Sequence, residues 1–476
     1  MLRISAAVLM VVLSGVPAPA PALTPLTIDG YVEEYRNSAR LPGVAVAVTQ
    51  GERVVRVAGY GHDASGSPMT GRTPMRIASL SKSFTALAVM QLVERRLVEL
   101  DRPVVDYLPE LALGDPRARR ITVRQVLNQT SGLSKTAFPT ANLTGIGSLR
   151  EAVARLRGVR LAGEPGAAHR YHNANYWIAG RLVEVVTGQP FATYLQRHVF
   201  RPLGMRSTTS VGNSSDHVPG LADGFTFAYG FALAHRELPG RFVGGSGGVV
   251  TTAEDMARWL GLHADARANR TVTRASLREM HTPSDPRGVY GFGWYRESPE
   301  RIAHSGALFT YTSFQIIMPG AKYGIAVLCN SRASVADDSA AIAAGLAELA
   351  AGRSPAPAAP VALVADLVAG ALTLVVLALG AAMAMRARRW AAKRDGRPLW
   401  ISALRLLPYL LTVALVPAFP AVMITLGVDL NWRQLLYVWP ALLVLLAASG
   451  LMATGVIAVR LASMGARRRS GMGSSG

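Results

Sequence analysis

Hydrophobic and polar residues alternate in two pairs of short segments at opposite ends of the N-terminal part of the chain. The first pair is 43–48 and 54–57, separated by a Gln-Gly turn. The second pair is 312–318 and 323–329, separated by a Pro-Gly turn. Alternation with a period of two, interrupted by turn residues, predicts a β-hairpin in each place.

Helical patterns fill the space between these hairpins and follow the second one. Residues 336–351 are rich in alanine and predict a helix that packs on the sheet. The segment between the hairpins is mostly helical in pattern. We therefore expect an α/β (α+β) fold, in which an antiparallel sheet is built from both ends of the domain and flanked by helices. A helical subdomain is inserted between the two hairpins.

Three continuous apolar stretches follow near the C-terminus, at about 361–385, 406–427 and 435–459. About 20 apolar residues in a helix are enough to cross the hydrocarbon core of a bilayer. The sequence thus predicts a C-terminal bundle of three transmembrane helices, with the lipid bilayer as a partner.

The remaining boundaries follow from composition. Residues 1–22 have a basic start, an apolar stretch and small residues before Ala22, which is typical of a secretory signal peptide. Residues 23–352 form the exported domain, 353–360 are a Pro/Ala-rich linker, and 361–476 hold the three spans.

Charge is unevenly distributed along the chain, which has 476 residues and a formal net charge of +20. Residues 353–476 contain 13 Lys and Arg against 3 Asp and Glu, a net of +10. These basic residues gather in the loop after the first span and in the tail, so the positive-inside rule places both in the cytoplasm. The exported domain then lies on the extracytoplasmic side of a multi-pass cell-membrane protein. No basic cluster elsewhere indicates nucleic-acid binding.

The number and spacing of the cysteines and histidines argue against a disulfide and against a metal site. The single cysteine, Cys329, excludes an intrachain disulfide and a cysteine-based zinc site. The nine histidines show no HExxH or HxH spacing, which disfavours a metal-dependent hydrolase.

A serine and a lysine stand three positions apart at Ser79 and Lys82, at the start of a segment with helical periodicity. Residues three apart share one helix face, so the amine is expected beside the hydroxyl. Serine becomes a good nucleophile when a neighbour takes its proton; a desolvated lysine can do this, whereas arginine cannot. Only four of the 50 Lys and Arg residues are lysines, which indicates that an amine is needed at Lys82.

Two further motifs supply groups that acyl transfer requires. Tyr171-His-Asn173 offers a phenol that can relay a proton and an amide that can bind a substrate carbonyl. His304-Ser-Gly306 leads into a predicted strand, where the glycine allows substrate backbone to approach. The next amide, Ala307 N–H, is expected to pair with Ser79 N–H as an oxyanion hole.

These motifs resemble those of the serine β-lactamase and D,D-peptidase superfamily, specifically its class C-like branch. The resemblance runs from about residue 30 to about residue 350. It is carried by residues 42–44, 76–82, 121–132, 171–173, 201–205, 244–252, 290–294 and 304–306.

The resemblance implies a role for each motif residue. Ser79 is the nucleophile that becomes acylated, and Lys82 and Tyr171 handle the protons. Asn173 contacts the substrate amide. His304 is a wall residue at the position where β-lactamases carry a lysine.

The sequence departs from the family pattern at three positions. His304 in place of lysine weakens a fixed cation for a β-lactam carboxylate, which counts against antibiotic hydrolysis. His172 replaces a small residue inside the second motif, and Gln129 replaces a histidine before Thr-Ser-Gly. The sequence assigns no role to His172 or Gln129.

The leading hypothesis is a membrane-anchored serine hydrolase that cleaves an amide in a peptide-like or acylated small-molecule substrate with a D-residue. The architecture resembles anchored peptidases that remove an N-acyl-D-amino-acid cap from exported prodrug metabolites, as in colibactin maturation. The alternatives are a class C-like β-lactamase, an esterase, a penicillin-binding sensor that acylates stably, or an inactive envelope scaffold. No cofactor is implied, because the lysine supplies the basicity that a metal would otherwise provide.

Overall fold

A computed structural model describes residues 23–140, 143–264, 271–394, 398–426 and 428–472. The predicted signal peptide at residues 1–22 lies outside the described residues and stays a prediction.

The strands fall into one large and two small sheets. In chain order they are β1 Gly43–Gln50, β2 Arg53–Gly61, β3 Met75–Arg76, β4 Thr209–Ser210, β5 Gly224–Ala228, β6 Phe231–His235, β7 Val249–Thr251, β8 Tyr295–Ser298, β9 Arg301–Ala307, β10 Thr312–Met318, β11 Tyr323–Cys329 and β12 Ser331–Arg332.

The helices surround the large sheet and continue into the C-terminal region. They are α1 Pro25–Ala39, α2 Ser81–Glu94, α3 Val123–Leu127, α4 Leu149–Ala154, α5 Asn173–Thr187, α6 Phe191–Leu195, α7 Ala253–Ala264, α8 Arg274–His281, α9 Asp338–Ala350, α10 Val361–Met385, α11 Ala387–Ala392, α12 Leu399–Leu404, α13 Leu407–Thr425, α14 Trp432–Val438 and α15 Pro440–Met472.

The large sheet has six antiparallel strands in the order β2-β1-β11-β10-β9-β8. Strand β1, from the start of the domain, pairs with β11, from its end, in a register that sets Val46 opposite Val327. Both predicted hairpins are present as β1–β2 and β10–β11. The prediction of an antiparallel sheet assembled from the two ends of the domain is confirmed.

Each face of this sheet is covered by helices. On one face α1 and α9 bury Ile28 and Leu346 against the strands. On the other face lie α2 and α7, where the rings of Phe84 and Trp259 stack with centroids 3.7 Å apart. Helix α2 is buried over nearly its whole length because helices α5, α6 and α8 also pack against it.

Two small sheets were not predicted, because strands of two or three residues are too short to show alternation. They have the orders β3-β7-β4 and β12-β5-β6. The first of them holds the turn that carries Ser79, since β3 ends at Arg76. Helix α2 also begins later than predicted: Ser79 lies in the 3₁₀ turn Ala78–Leu80, and the α-helix starts at Ser81.

Helices α10, α13 and α15 are long and apolar enough to cross a membrane. At most 17% of the apolar window of each is buried within the chain, so their sides are free to contact lipid. The third of these apolar helices begins at Pro440, whereas the predicted span began near residue 435. The apolar run is continuous there, but the chain leaves helical geometry at Trp439, which separates α14 from α15.

The ends of these helices nearest the domain contact it at three places. Asp366 of α10 accepts hydrogen bonds from Tyr229 N at 2.8 Å and from Trp439 Nε1 at 2.9 Å. Asp429, between α13 and α14, accepts from Thr140 N at 2.5 Å and from Thr140 Oγ1 at 2.8 Å. Finally, Tyr437 of α14 packs in an apolar cluster with two domain residues, Leu238 and Phe309.

Candidate active site

The turn that carries Ser79 is fixed by hydrogen bonds on both sides. Ala78 adopts a left-handed conformation with φ of 47°, which an L-residue other than glycine rarely takes. Ser81 Oγ donates to Ala78 O at 2.6 Å and accepts from Val249 N at 3.0 Å. These bonds hold the turn and aim the Ser79 side chain toward the start of α2.

Lys82 is fully buried, and its amine nitrogen lies among three oxygen atoms. Nζ is 3.0 Å from Ser79 Oγ, 2.9 Å from Asn173 Oδ1 and 2.8 Å from Ser246 O. Burial holds the pKa of Lys82 well below its usual value, and the nearby charge of Lys135 adds to the shift. No hydrogen bond or ion pair joins Lys82 to a carboxylate within the described residues.

The three neighbours of Nζ differ in what they can do. A neutral amine has two N–H groups to donate and one lone pair to accept. Two of the neighbours, the Asn173 amide oxygen and the Ser246 carbonyl, are acceptors only. In the neutral form of Lys82 these two acceptors take both N–H groups, which leaves the lone pair for the hydroxyl of Ser79.

Tyr171 lies on the other side of the nucleophile. It is half-buried, forms a side-chain hydrogen bond with Ser79, and its ring centre is 4.8 Å from Lys82 Nζ. Burial raises the pKa of Tyr171, and the hydrogen bond with Ser79 opposes that rise. The phenol is therefore protonated at neutral pH.

His172 is a structural residue that positions its neighbours, and it caps helix α5. Its Nδ1 accepts from Ala174 N at 3.2 Å, so the proton is on Nε2, which donates to Phe138 O at 2.9 Å. Burial lowers the pKa of His172, which keeps the ring neutral in this tautomer. The cap fixes the first residue of the helix, Asn173, against Lys82.

Gln129 completes this arrangement from a left-handed backbone position with φ of 65°. Its Oε1 accepts from His172 N at 3.0 Å and from Asn175 Nδ2 at 2.6 Å. Asn175 Oδ1 in turn accepts from Ser131 Oγ at 2.5 Å. The two departures from the family pattern thus interlock, and the sequence missed this because their partners are more than 40 positions apart.

His304 is buried and neutral. Its Nδ1 lies 2.6 Å from Ser305 O and Nε2 lies 3.1 Å from the hydroxyl of Tyr290, so Nδ1 carries the proton and the tyrosine donates to Nε2. Burial, assisted by Lys82, lowers the pKa of His304 to about 3. The ring centre lies 6.1 Å from that of Tyr171. His304 is therefore an uncharged ring beside Tyr171.

Gly306 and Ala307 follow on strand β9, beside the turn that holds Ser79. The neighbouring strand is fastened to this turn by Ser313 Oγ, which donates to Ile77 O at 2.8 Å. A methyl group at Gly306 would overlap both of these groups, so the close packing requires glycine there. Ala307 is exposed at the end of the strand.

The site contains residues that the motif analysis did not single out. The carbonyl of Ser246 comes from the glycine-rich turn 244–248, which lies in a quoted segment, but nothing in the sequence indicates its contact with Lys82. Tyr290 lies in a quoted segment, but nothing in the sequence indicates its bond to His304. Among the described residues, no group of three or more His, Cys, Asp or Glu is arranged to hold a metal ion.

Solved structures share this fold at low sequence identity. The octameric penicillin-binding protein homologue from Pyrococcus abyssi superposes with a TM-score of 0.61 and 24% identity, covering 70% of this chain and 79% of that one. A D-stereospecific amidohydrolase from Streptomyces gives a TM-score of 0.53 and 23% identity, covering 64% and 94%.

The sequence comparisons identify the family. Protein flp of Staphylococcus aureus is 26% identical over 316 residues, which are 64% of this chain and 62% of that protein. The chain thus spans less than two thirds of that relative. Residues 28–350, more than half of the chain, match the family described as Beta-lactamase. The chain belongs to the beta-lactamase family of serine hydrolases, within the superfamily of serine β-lactamases and D,D-peptidases.

Proposed function

We propose that this chain is a membrane-anchored serine hydrolase that cleaves an amide bond through an acyl-enzyme on Ser79. The observation that supports this most strongly is the environment of Lys82, a fully buried amine whose Nζ lies 3.0 Å from Ser79 Oγ. A buried amine with a lowered pKa, and with both N–H groups used by other acceptors, is suited to act as a general base.

The proposed reaction follows from these positions. Lys82 takes the proton of Ser79 Oγ as that oxygen bonds to the substrate carbonyl carbon. The carbonyl oxygen becomes an oxyanion, which the N–H groups of Ser79 and Ala307 stabilise. Tyr171 donates its phenol proton to the departing nitrogen and regains one from Lys82. Water then cleaves the ester on Ser79 and restores the free hydroxyl.

The other proposed contacts concern substrate binding. Asn173, with its oxygen toward Lys82, has its N–H₂ group available for a substrate carbonyl. Gly306 and Ala307 lie at the strand edge where a peptide-like substrate would extend. His304 has no charge at neutral pH, so it offers no ionic partner for the carboxylate of a β-lactam. This disfavours the β-lactamase alternative.

The preference for a substrate with a D-residue rests on similarity. The chain shares its fold with an amidohydrolase described as D-stereospecific and with a penicillin-binding protein homologue. We propose the same substrate class here, with a peptide-like or acylated small molecule as the compound cleaved.

The location of the enzyme is part of the proposal. Helices α10, α13 and α15 serve as the anchor, residues 1–22 as the signal peptide and 353–360 as the linker. The bias of basic residues toward the loop after α10 and the tail supports an extracytoplasmic catalytic domain.

Active-site labelling combined with a substrate panel tests the function. The purified full-length protein should form a covalent adduct with a fluorophosphonate, and mass spectrometry should locate the adduct on Ser79. Ser79→Ala should lose the adduct and lower hydrolysis by at least about a thousandfold, whereas the exposed control Ser65→Ala should behave as wild type. Faster turnover of acyl-D-amino-acid amides than of their L-isomers, nitrocefin or p-nitrophenyl esters is expected. An unchanged adduct on Ser79→Ala would contradict the proposal.

A further inference from the structure

The hairpin formed by β5 and β6 exposes apolar side chains beside the membrane helices. Phe231 is 70% exposed and Leu233 is 47% exposed, both on β6. This strand is at the edge of its sheet, so no further strand covers its outer side. Large apolar residues grouped on an exposed edge indicate a surface that contacts something other than water.

The geometry of the strand shows which way these side chains point. Side chains at every second position of a strand lie on the same face, so Phe231, Leu233 and His235 share one face. The ring of His235 packs against that of Tyr437 in α14, with centroids 4.3 Å apart. The apolar face of β6 is therefore continuous with the segment that joins the second and third apolar helices.

The turn of the same hairpin lies against the first apolar helix. Tyr229 and Gly230 both have positive φ, as a two-residue hairpin turn requires. Tyr229 N donates to Asp366 of α10, and a Cβ placed on Gly230 would lie 2.6 Å from Leu363. The Tyr229 ring reaches further along the helix, since a Cβ on Gly370 would lie 3.1 Å from it.

These contacts give the depth of the turn relative to a bilayer. Helix α10 has 25 residues and is therefore about 37 Å long, whereas the hydrocarbon core is about 30 Å thick. The excess of about 7 Å equals about five residues, so the core begins at or before about residue 366. The hairpin turn, which contacts Leu363 to Gly370, reaches this boundary.

We propose that the β5–β6 hairpin is an interfacial membrane anchor that inserts Phe231 and Leu233 at the boundary between lipid headgroups and acyl chains. The occupant of this surface is the bilayer itself. The free backbone edge of β6 still needs water or headgroup partners, which restricts the insertion to the interface and excludes the hydrocarbon core. The hairpin thereby holds the catalytic domain against the membrane surface. This inference rests on the proposed membrane insertion of α10, α13 and α15.

Quenching by brominated lipids tests the anchor in the full-length protein. Single cysteines are introduced as Leu233→Cys on the hairpin, Leu374→Cys in α10 and Val54→Cys on β2, and each is labelled with bimane in phosphatidylcholine vesicles. The native Cys329 is buried, and labelling of the unmodified protein measures its background.

The two additional positions serve as controls. Leu374 is 69% exposed within α10 and reports on membrane insertion alone. Val54 is 52% exposed and matches Leu233 in apolar character. It pairs with Thr49 near the far end of β1, about 20 Å from Gly43. Gly43 O accepts from Asn330 N, and Asn330 O accepts from Phe225 N of β5, so the near end of β1 is beside the hairpin.

Quenching of the Leu233 label is expected with lipids brominated near the headgroup end of the chain, and quenching of the Leu374 label with lipids brominated deeper. The Val54 label should keep its fluorescence. If Leu374 is quenched and Leu233 behaves as Val54 does, the hairpin inference is wrong while the membrane anchor stands. That outcome includes the case in which a second copy of the chain covers the hairpin. If Leu374 is not quenched, the proposed anchor fails and the inference fails with it.

Discussion

At the scale of single residues, burial and a second lysine together lower the pKa of Lys82. In the proposed reaction Lys82 must lose its proton to accept one from Ser79, and burial is the larger cause of the bias toward the neutral amine. Lys135 adds a positive charge that further disfavours a protonated Lys82. Because the pKa of Lys82 is lowered, kcat/KM should rise with pH through that pKa and level off above it.

The first prediction concerns this rising limb. Lys135→Met removes the repelling charge, so the pKa of Lys82 should rise and the limb of the pH–kcat/KM profile should move to higher pH. Lys322→Met is the matched control, because it removes the same charge far from the active site. Lys322 lies in the turn between β10 and β11, whereas the active site is at the opposite end of β10, where Thr312 pairs with Ala307. A shift of equal size in both variants, or none in Lys135→Met, would contradict the electrostatic link.

Gln129 provides a prediction about stability. Gln129→Met keeps the size of the side chain but removes the acceptor of His172 N and Asn175 Nδ2. Each of the two buried donors left unpaired costs about 1–3 kcal/mol, so the free energy of unfolding should fall by about 2–6 kcal/mol. Denaturation of the purified protein measures this loss. The exposed Gln50→Met should change stability by less than about 0.5 kcal/mol, and an equally small effect at Gln129 would refute its structural role.

The residue scale also shows where sequence reasoning stops. Ser79 and Lys82 could be paired from their spacing alone, because helix geometry fixes the distance between residues three apart. The neutral state of His304 could not be predicted, because it depends on Tyr290 and on burial by several elements. The hydrogen bond between Gln129 and His172 depends on the left-handed backbone conformation of Gln129, which no local sequence pattern predicts.

At the scale of elements, the loop between α13 and α14 contacts the loop beside the active site. Asp429 binds Thr140 through two hydrogen bonds, and Phe138 in the same loop accepts from His172. His172 stands between Tyr171 and Asn173. A continuous set of hydrogen bonds and covalent neighbours therefore leads from the loop between the apolar helices α13 and α15 to the proposed proton-transfer residues.

This link gives the third prediction. Asp429→Ala should lower kcat by about tenfold with a smaller change in KM, because small displacements of reacting groups are costly in rate. Asp429→Asn retains an acceptor for Thr140 N and should restore most of the rate. Thr140→Val should add little to Asp429→Ala in a double-mutant cycle. Additive effects of the two substitutions, or no rescue by asparagine, would rule out the coupling through this contact.

Elements were predicted best where the chain repeats a pattern long enough to recognise. Strands β10 and β11 have the predicted bounds, because alternation and a Pro-Gly turn both mark them. Strands β3 and β7, with two and three residues, offer no such repeat. The start of the third apolar helix was not predicted, because the apolar run continues across Trp439 whereas the helical backbone conformation is interrupted there.

At the scale of the whole molecule, the distribution of basic residues predicts how the protein is oriented in the membrane. If basic residues after α10 are cytoplasmic, a membrane-impermeant maleimide should label Glu34→Cys in intact cells. It should label Lys393→Cys only after permeabilisation. Both positions are exposed, and the single native cysteine is buried. Labelling of both cysteines in intact cells would contradict the proposed topology.

The pairing of β1 with β11 sets the order in which the domain can fold. Val46 must wait for Val327, which is made 281 positions later. At about 5–20 residues per second this delay is about 14–56 s, during which β1 has only β2 as a partner strand. Only a short stretch of chain then separates the end of β11 from the first apolar helix. The large sheet cannot be completed until β11 has been made and has paired with β1. The domain therefore stays unfolded for most of its synthesis, which is the state that a secretion channel requires.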